Sequence, residues 1–236
     1  ISIPVNVFRG FENVGDGEGF LLAVLGGDDP GRVLWAPDVF EKAGAHGLVL
    51  LENGRLVDTT QGEEVPPGMQ PVTPTTAEQV ADHRRMSLAE MLDCVYPAGE
   101  QQSHAGSALD AAGRGVSESP VIGPANAEEG IAAGKIDWRH GFHLRRLDFD
   151  ALGSLPPHVR GEREVVYVHT GKLAFQWPGG ELQMAAGDVL TIPVGLVRSF
   201  RNPADTPAVV YVVRGGDHPA APRFEGSEVT AEALGT

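Results

Sequence analysis

Two neighbouring stretches carry the pattern on which the fold assignment rests: GSLPPHVRGEREVVYVHTG at residues 153–171 and GDVLTIPVGLVRSFRN at residues 187–202. They belong to a series of short β-type runs that begins after Trp138 and is separated by turn residues. Many short strands joined by Gly and Pro turns are typical of a closed barrel or a sandwich. We therefore expect an all-β second half with strands at 142–149, 164–169, 172–177, 189–192, 198–201 and 208–214.

The spacing within these stretches resembles the two signatures of the cupin superfamily. The first stretch resembles G-x5-H-x-H-x3-E-x6-G, with one residue fewer before His158, and the second resembles G-x5-P-x-G-x2-H-x3-N. Residues 172–186 separate the two stretches, as in compact members of the family. The resemblance covers about residues 138–220. It implies a mainly β chain whose C-terminal half is an RmlC-like cupin jelly-roll β-barrel.

The sequence departs from the family pattern at the metal site that the resemblance implies. In metal-binding members, three histidines and one glutamate hold iron, manganese, nickel or zinc. Here Arg160 and Arg198 replace two of those histidines, which leaves His158 and Glu164. A guanidinium group stays protonated and has no lone pair to give to a cation. We therefore expect no metal cofactor. The alternative is Fe(II) or another divalent transition metal held by His158 and Glu164.

The spacing also predicts where these charges lie. Side chains alternate along a strand, so His158 and Arg160 face the same side, beside Glu164. We expect Glu164, flanked by Arg160 and Arg198, to close a buried ion-pair cluster in the place of the metal. In one interpretation the arginines only neutralise Glu164 and fill a degenerate barrel. In the other, a spare guanidinium faces a pocket and binds the carboxylate or enolate of a small organic ligand.

The two interpretations of the arginines lead to different functions for the barrel. On an earlier strand His143 and Arg145 share one face, so the expected ligand-binding residues are His143, Arg145, His158, Arg160, Glu164 and Arg198. We predict that the barrel binds a small anionic or oxygenated organic molecule. The alternative is a metal-dependent cupin enzyme, a dioxygenase-like oxidoreductase or an isomerase or cyclase acting on an aromatic or keto acid. In an enzyme without a metal, His158 is the candidate general base, and Arg160 or Arg198 stabilises an oxyanion.

Residues 1–96 predict an N-terminal α+β region. Pro37 and Asp38 open a helical pattern that ends at Gly44 or Gly47, and Asn53-Gly54 is a strong hairpin signal. Thr75 with Glu78 and Ser87 with Glu90 fit capping boxes, which predict short helices at about 76–85 and 88–95. Extended runs at 6–8 and 19–25 predict strands. Glu52-Asn-Gly54 followed by residues 62–68 is similar to parts of the cupin signatures, so a partial second barrel, as in a bicupin, is a further expectation.

Domain boundaries follow from composition. Residues 97–123 are rich in Ala, Gly, Ser, Gln and Pro with almost no large apolar side chains, which predicts a linker or a loosely laid arm. The cupin barrel then spans 124–225, and 226–236 form a C-terminal tail. Many family members pair barrels through edge strands, so the resemblance implies a homodimer.

Charge and composition limit the partners of the chain. The 236 residues carry a net charge of -14. Residues 1–120 hold 18 acidic and 7 basic residues, and residues 121–236 hold 14 and 11. This field repels phosphate backbones, so we exclude nucleic acid as a partner. No apolar run approaches the roughly 20 residues of a membrane span. Cys94 is the single cysteine, which favours a cytoplasmic protein. The sequence opens at Ile1 without methionine, so we expect a trimmed or an incomplete start.

Overall fold

The structure is a computed structural model of the chain and describes residues 1–26 and 33–225. The described residues divide into two compact units. The smaller unit contains residues 3–23 and 33–92, and the larger contains residues 1–2, 24–26 and 93–225. Within these described ranges, no helix is both long and apolar enough to cross a membrane. The tail expected at 226–236 lies outside the described residues.

The smaller unit contains the helix and the hairpin that the sequence predicts. Proline at the first helical position and Asp38 in the first turn favour the start of the first helix. The hairpin strands pair antiparallel around Gly54, whose φ of +85° suits glycine. The elements of this unit are α1 (Pro37–Ala45), β1 (Leu48–Leu50), β2 (Leu56–Asp58), α2 (Ala77–Ala81) and α3 (Leu88–Asp93).

The start of α2 differs from the prediction by one residue. The capping box is formed by Thr76 and Gln79 rather than by Thr75 and Glu78. The Thr75 hydroxyl instead donates to the carbonyl of Trp35 at 3.0 Å, so it does not cap the helix. At α3 the predicted pair forms, because the amide and hydroxyl of Ser87 donate to Glu90. Both helices are shorter than expected.

The predicted strands at 6–8 and 19–25 are wrong. Residues 1–26 contain no strand. A strand is stable only when a neighbour satisfies its backbone and covers its apolar face. Leu21 and Leu25 are instead 56% and 61% exposed. Among the described residues of the smaller unit, β1 and β2 are the only strands, so the partial second barrel stays a prediction.

The larger unit is built on one antiparallel sheet, which confirms the all-β prediction for the second half. Its strand order is β7-β6-β9-β4-β10-β5-β8, and β3 and β11 also pair with β4. The sheet curls as a half barrel, as in a cupin jelly roll. The elements are α4 (Ala108–Ala112), β3 (Arg114–Ile122), β4 (Phe142–Val159), β5 (Glu164–Thr170), β6 (Lys172–Trp177), β7 (Gly180–Ala185), β8 (Val189–Ile192), β9 (Arg198–Arg201), β10 (Ala208–Gly215) and β11 (Arg223–Phe224).

Three of these strands, β3, β7 and β11, lie where the sequence predicts none. Strand β3 lies at the C-terminal end of the range 97–123, which we expected to be a linker or a loose arm, and it pairs antiparallel with β4. The expectation fails because β3 buries charged and small side chains, among them Glu118 and Ser119, as well as Val116. Strand β7 is an edge strand in which only Met184 is buried, and its apolar alternation is limited to Leu182 and Met184.

The inner face of the sheet changes from apolar to charged along the strands. In β10, Val210 and Val212 face the same side as Arg214. The register places Val210 opposite Leu147 and Arg214 opposite His143. One end of the barrel interior is therefore an apolar core, and the other end is lined by ionisable residues. The core includes Leu147, Phe149, Val166, Val168, Leu173, Phe175, Phe200 and Val210.

Candidate functional site

Seven ionisable side chains meet at the charged end of the barrel and form what we call the charge cluster. Each is at most 2% exposed. Glu118 lies on β3, Arg145 on β4, Glu164 on β5, Arg198 on β9 and Arg214 on β10. Two more members lie outside the strands: Arg160 directly follows β4, and Glu129 lies in the loop between β3 and β4.

Arg214 is the centre of the charge cluster. Its Nε donates to Glu164 at 3.0 Å, and its Nη1 donates to Glu129 at 2.8 Å and Glu118 at 3.4 Å. Burial alone lowers the pKa of Arg214, but the three carboxylates together raise it above the ordinary value. This guanidinium is therefore fully charged and well compensated.

Both carboxylate oxygens of Glu164 are occupied by arginines. Its Oε1 accepts from Arg214 and lies 3.3 Å from Nε of Arg160, while its Oε2 accepts from Nη2 of Arg198. Burial raises the pKa of Glu164, but these three guanidinium groups outweigh that effect and hold the pKa at about 2. Glu164 is thus ionised throughout the physiological range.

The arginines nevertheless keep unused hydrogen-bond donors. Arg160 donates through Nη1 to Glu129 at 2.6 Å and to the carbonyl of Ala220 at 3.1 Å. Its Nε and Nη2, however, are buried and donate no hydrogen bond. The same holds for Nε of Arg198 and Nε of Arg145. Buried donors without an acceptor cost free energy. They indicate that this part of the barrel suits an acceptor group.

His143 and Arg145 form a separate pair at the edge of the charge cluster. Nη2 of Arg145 donates to Nδ1 of His143 at 2.5 Å, so the proton of that ring is on Nε2, which donates to the carbonyl of Asp217 at 2.9 Å. Arg145 is 3.9 Å from each of its two nearest carboxylates. Burial, with the repulsion of Arg214, lowers the pKa of Arg145 to about 10. Burial also lowers the pKa of His143.

His158 lies next to the charge cluster in an apolar setting. Its Nδ1 donates to the carbonyl of Pro156 at 2.8 Å, which leaves a lone pair on Nε2. Its ring lies near those of Phe200 and Phe224, with centroids 6.1 and 5.7 Å away. The β4–β9 register places it directly opposite Arg198. Burial lowers the pKa of His158 to about 4, so this imidazole is neutral at pH 7 and is a weak base.

Comparison with known families identifies this part of the chain. Residues 146–214 match the family described as Cupin_2, a cupin domain. The chain contains a cupin domain. The match includes Arg160, Glu164, Arg198 and Arg214, so four members of the charge cluster lie inside the cupin domain. A comparison with curated proteins found no match.

Solved cupin structures resemble the chain at low sequence identity. The polyketide cyclase RemF from Streptomyces resistomycificus is 17% identical, with a TM-score of 0.43 over 56% of this chain and 84% of its own. A cupin 2 conserved barrel domain protein from Rhodopseudomonas palustris is 15% identical, with a TM-score of 0.40 over 52% and 72%. A cupin-2 domain from Rhodospirillum rubrum is 16% identical, with a TM-score of 0.42 over 56% and 80%.

The side chains at the family's metal positions do not fit a divalent metal. Arg160 and Arg198 have no lone pair to donate. Both oxygens of Glu164 already accept from guanidinium groups. Of the side chains at the four metal positions, His158 is therefore the one with a lone pair free to bind a metal ion. Within residues 1–26 and 33–225, no group of three or more His, Cys, Asp and Glu side chains is arranged to hold a metal ion.

The larger unit brings together all six residues that the sequence predicts to be ligand-binding. Three members of the charge cluster were missed. The sequence does indicate that Arg214 faces the barrel interior, because it follows Val210 and Val212 at every second position of a predicted strand. Glu118 lies in the range expected to be a linker. Glu129 lies in a loop without a motif, where Nδ2 of Asn126 donates to it at 3.1 Å.

A surface pocket of about 230 Å³ adjoins the charge cluster. Its apolar wall includes Pro157, Trp177 and Val197, and its polar wall includes Gln176 and Ser199. Arg198 also lines the pocket and is the residue that the pocket and the charge cluster share. The other five expected ligand-binding residues do not line it.

Proposed function

We propose that the cupin domain binds a small organic monoanion through a carboxylate held by Arg160, Arg198 and Arg145. The observation that carries this proposal is the set of buried guanidinium N–H groups on these residues that have no acceptor. A guanidinium group presents its donors in a planar fork that matches the two oxygens of a carboxylate. A ligand carboxylate would therefore satisfy donors that the chain itself leaves unsatisfied.

The charges of the cluster favour a single negative charge on the ligand. Four arginines face the three carboxylates of Glu118, Glu129 and Glu164, which leaves one positive charge in excess. Glu162 lies at the rim, 3.4 Å from Arg160, with its side chain 12% exposed. Burial raises the pKa of Glu162 above its ordinary value. A monoanion neutralises the excess, whereas a dianion reverses it.

His158 adds a neutral acceptor to this charged site. The lone pair on its Nε2 can accept a hydrogen bond from a hydroxyl group of the ligand. A neutral imidazole does not add to the positive charge of the site. It can therefore bind a hydroxyl group of the ligand while the arginines bind the carboxylate. Glu164 and Arg214 are paired with each other and with other members of the charge cluster. We assign them the role of holding Arg160 and Arg198 in place.

Isothermal titration calorimetry with acetate and with its neutral analogue acetamide, at constant ionic strength and pH 7, tests this proposal. We expect acetate to bind and acetamide not to bind. Arg160→Lys keeps the charge but loses the planar fork, so acetate affinity should fall about tenfold or more. The matched control is Arg201→Lys, because Arg201 pairs with Glu181 on the surface. Acetate binding that is absent, or that both variants weaken equally, would refute the proposal.

Elemental analysis of the same purified protein tests the competing metal-dependent enzyme. We expect much less than one iron, manganese, nickel or zinc ion per chain, because the donor set at the family's metal positions is occupied by arginine. A stoichiometric metal that is lost in a His158→Phe variant would show that His158 is a ligand. That result would contradict the carboxylate proposal.

A further inference from the structure

The surface pocket beside Arg198 has the features of a subsite for a flat apolar group. Trp177 forms one of its walls, and its ring stacks on Phe175 with centroids 5.2 Å apart. This contact fixes the orientation of the indole before any ligand arrives. Pro157 and Val197 supply further apolar surface. A preformed aromatic wall of this kind favours stacking with another ring.

The polar groups of the pocket are already paired with one another. The Ser199 hydroxyl donates to Oε1 of Gln176 at 3.1 Å, and Nε2 of Gln176 donates to Glu181 at 2.5 Å. These side chains therefore have few hydrogen bonds left to form with a polar ligand. Among the described residues that line the pocket, Arg198 is the one cation, and its Nε has no acceptor. Glu225, also in the lining, repels a carboxylate. The charged end of a ligand is thus directed towards Arg198.

We infer that the ligand of the cupin domain is a small aromatic monocarboxylate, whose ring stacks on Trp177 and whose carboxylate meets Arg198. This inference rests on the proposed function, because it assigns the remainder of the same ligand. The volume of about 230 Å³ sets the size. Sites for drug-sized ligands measure about 300–1,000 Å³, so this pocket suits a single ring. Arg198 joins the ring subsite to the charge cluster, where Glu164 holds its guanidinium.

The test compares benzoate, acetate and benzamide by isothermal titration calorimetry on the full chain. We expect benzoate to bind about tenfold more tightly than acetate, since stacking and ring burial add to the same carboxylate contact. In Trp177→Leu this preference should fall to less than about threefold. The control is Trp138→Leu, because Trp138 stacks on His140 and does not line the pocket. That variant should keep the full preference.

The outcomes separate this inference from the proposed function. If acetate and benzoate bind the wild type equally, the aromatic ligand is refuted while the carboxylate site stands. If neither binds, both are refuted. If benzamide binds as tightly as benzoate, the pocket binds rings without using Arg198, which overturns the inference.

A fluorescence titration keeps the test valid if Trp177→Leu unfolds. Trp177→Phe retains an aromatic wall, so we expect it to fold and to bind benzoate. Benzoate should change the tryptophan emission of the wild type, because the ring contacts the Trp177 indole, and this change should disappear in Trp177→Phe. A change that persists in the variant would place the ligand elsewhere and overturn the inference.

Discussion

Arg145 and Arg214 offer a matched pair of substitutions within the charge cluster. They are 0% and 1% exposed, and replacing either by methionine leaves three arginines facing three carboxylates. Arg214 lies 2.8–3.4 Å from three carboxylates, whereas Arg145 lies 3.9 Å from two. Burial and net charge are thus held constant in this comparison, and the close carboxylate contacts vary.

The contacts set the expected magnitudes. Arg214→Met leaves buried carboxylates without their shared partner, and breaking a buried ion pair costs about 3–5 kcal/mol. Arg145→Met loses hydrogen bonds to His143 and to the carbonyl of Ile122, at about 1 kcal/mol each. It also removes a guanidinium whose pKa burial has lowered to about 10, which offsets part of that loss. We therefore expect Arg145→Met to cost about 1 kcal/mol.

Urea unfolding followed by circular dichroism at pH 7 measures both free energies. Arg214→Met should reduce the free energy of unfolding by at least about 2 kcal/mol more than Arg145→Met, with unchanged m-values. If Arg145→Met is equally or more damaging, burial of a charge and not contact with carboxylates controls the stability of the cluster. That result would refute the reasoning.

Three further predictions concern single residues. Because its pKa is about 2 in the folded protein, Glu164 stabilises the fold fully above its ordinary pKa of 4.5 and loses this effect as the pH falls towards 2. Glu164→Gln should therefore flatten the fall in unfolding free energy over that range, and an unchanged slope would contradict the pairing. The imidazole of His158 should titrate near pH 4 by NMR, and a midpoint above 6 would show that it is not desolvated. Gly123→Ala should reduce the free energy of unfolding in urea by about 1–3 kcal/mol more than Gly216→Ala. Both glycines have positive φ, but only the Cβ added at Gly123 would lie 2.8 Å from the ring of His143. Equal losses would show that the ring moves aside.

The sequence predicts those parts of the site that follow from spacing along one or two strands. His158, Arg160 and Glu164 lie within seven positions: strand alternation predicts that His158 and Arg160 share a face, and the family spacing of the first stretch places Glu164 beside them. Arg198 follows from the family spacing of the second stretch. The prediction that Glu164 lies between Arg160 and Arg198 agrees with the contacts in the structure.

The missed residues depend on pairing between distant strands. Glu118 reaches Arg214 only because β3 pairs with β4, and nothing in the composition of β3 indicates a buried strand. Glu129 depends on a loop whose path is set by contacts such as that between Asn126 and the carbonyl of Pro219. Local pattern carries no information on such contacts, because they join residues that are far apart in the sequence.

The charge cluster also constrains how the sequence can change. To restore the family's three histidines, positions 160 and 198 must both become histidine. Replacing Arg198 alone removes the partner of Glu164 Oε2, and replacing Arg160 alone removes the 2.6 Å contact to Glu129. Each single step removes a buried ion pair before a metal can bind. The two substitutions are therefore non-additive, and a library that varies the two positions one at a time never samples the metal-binding combination.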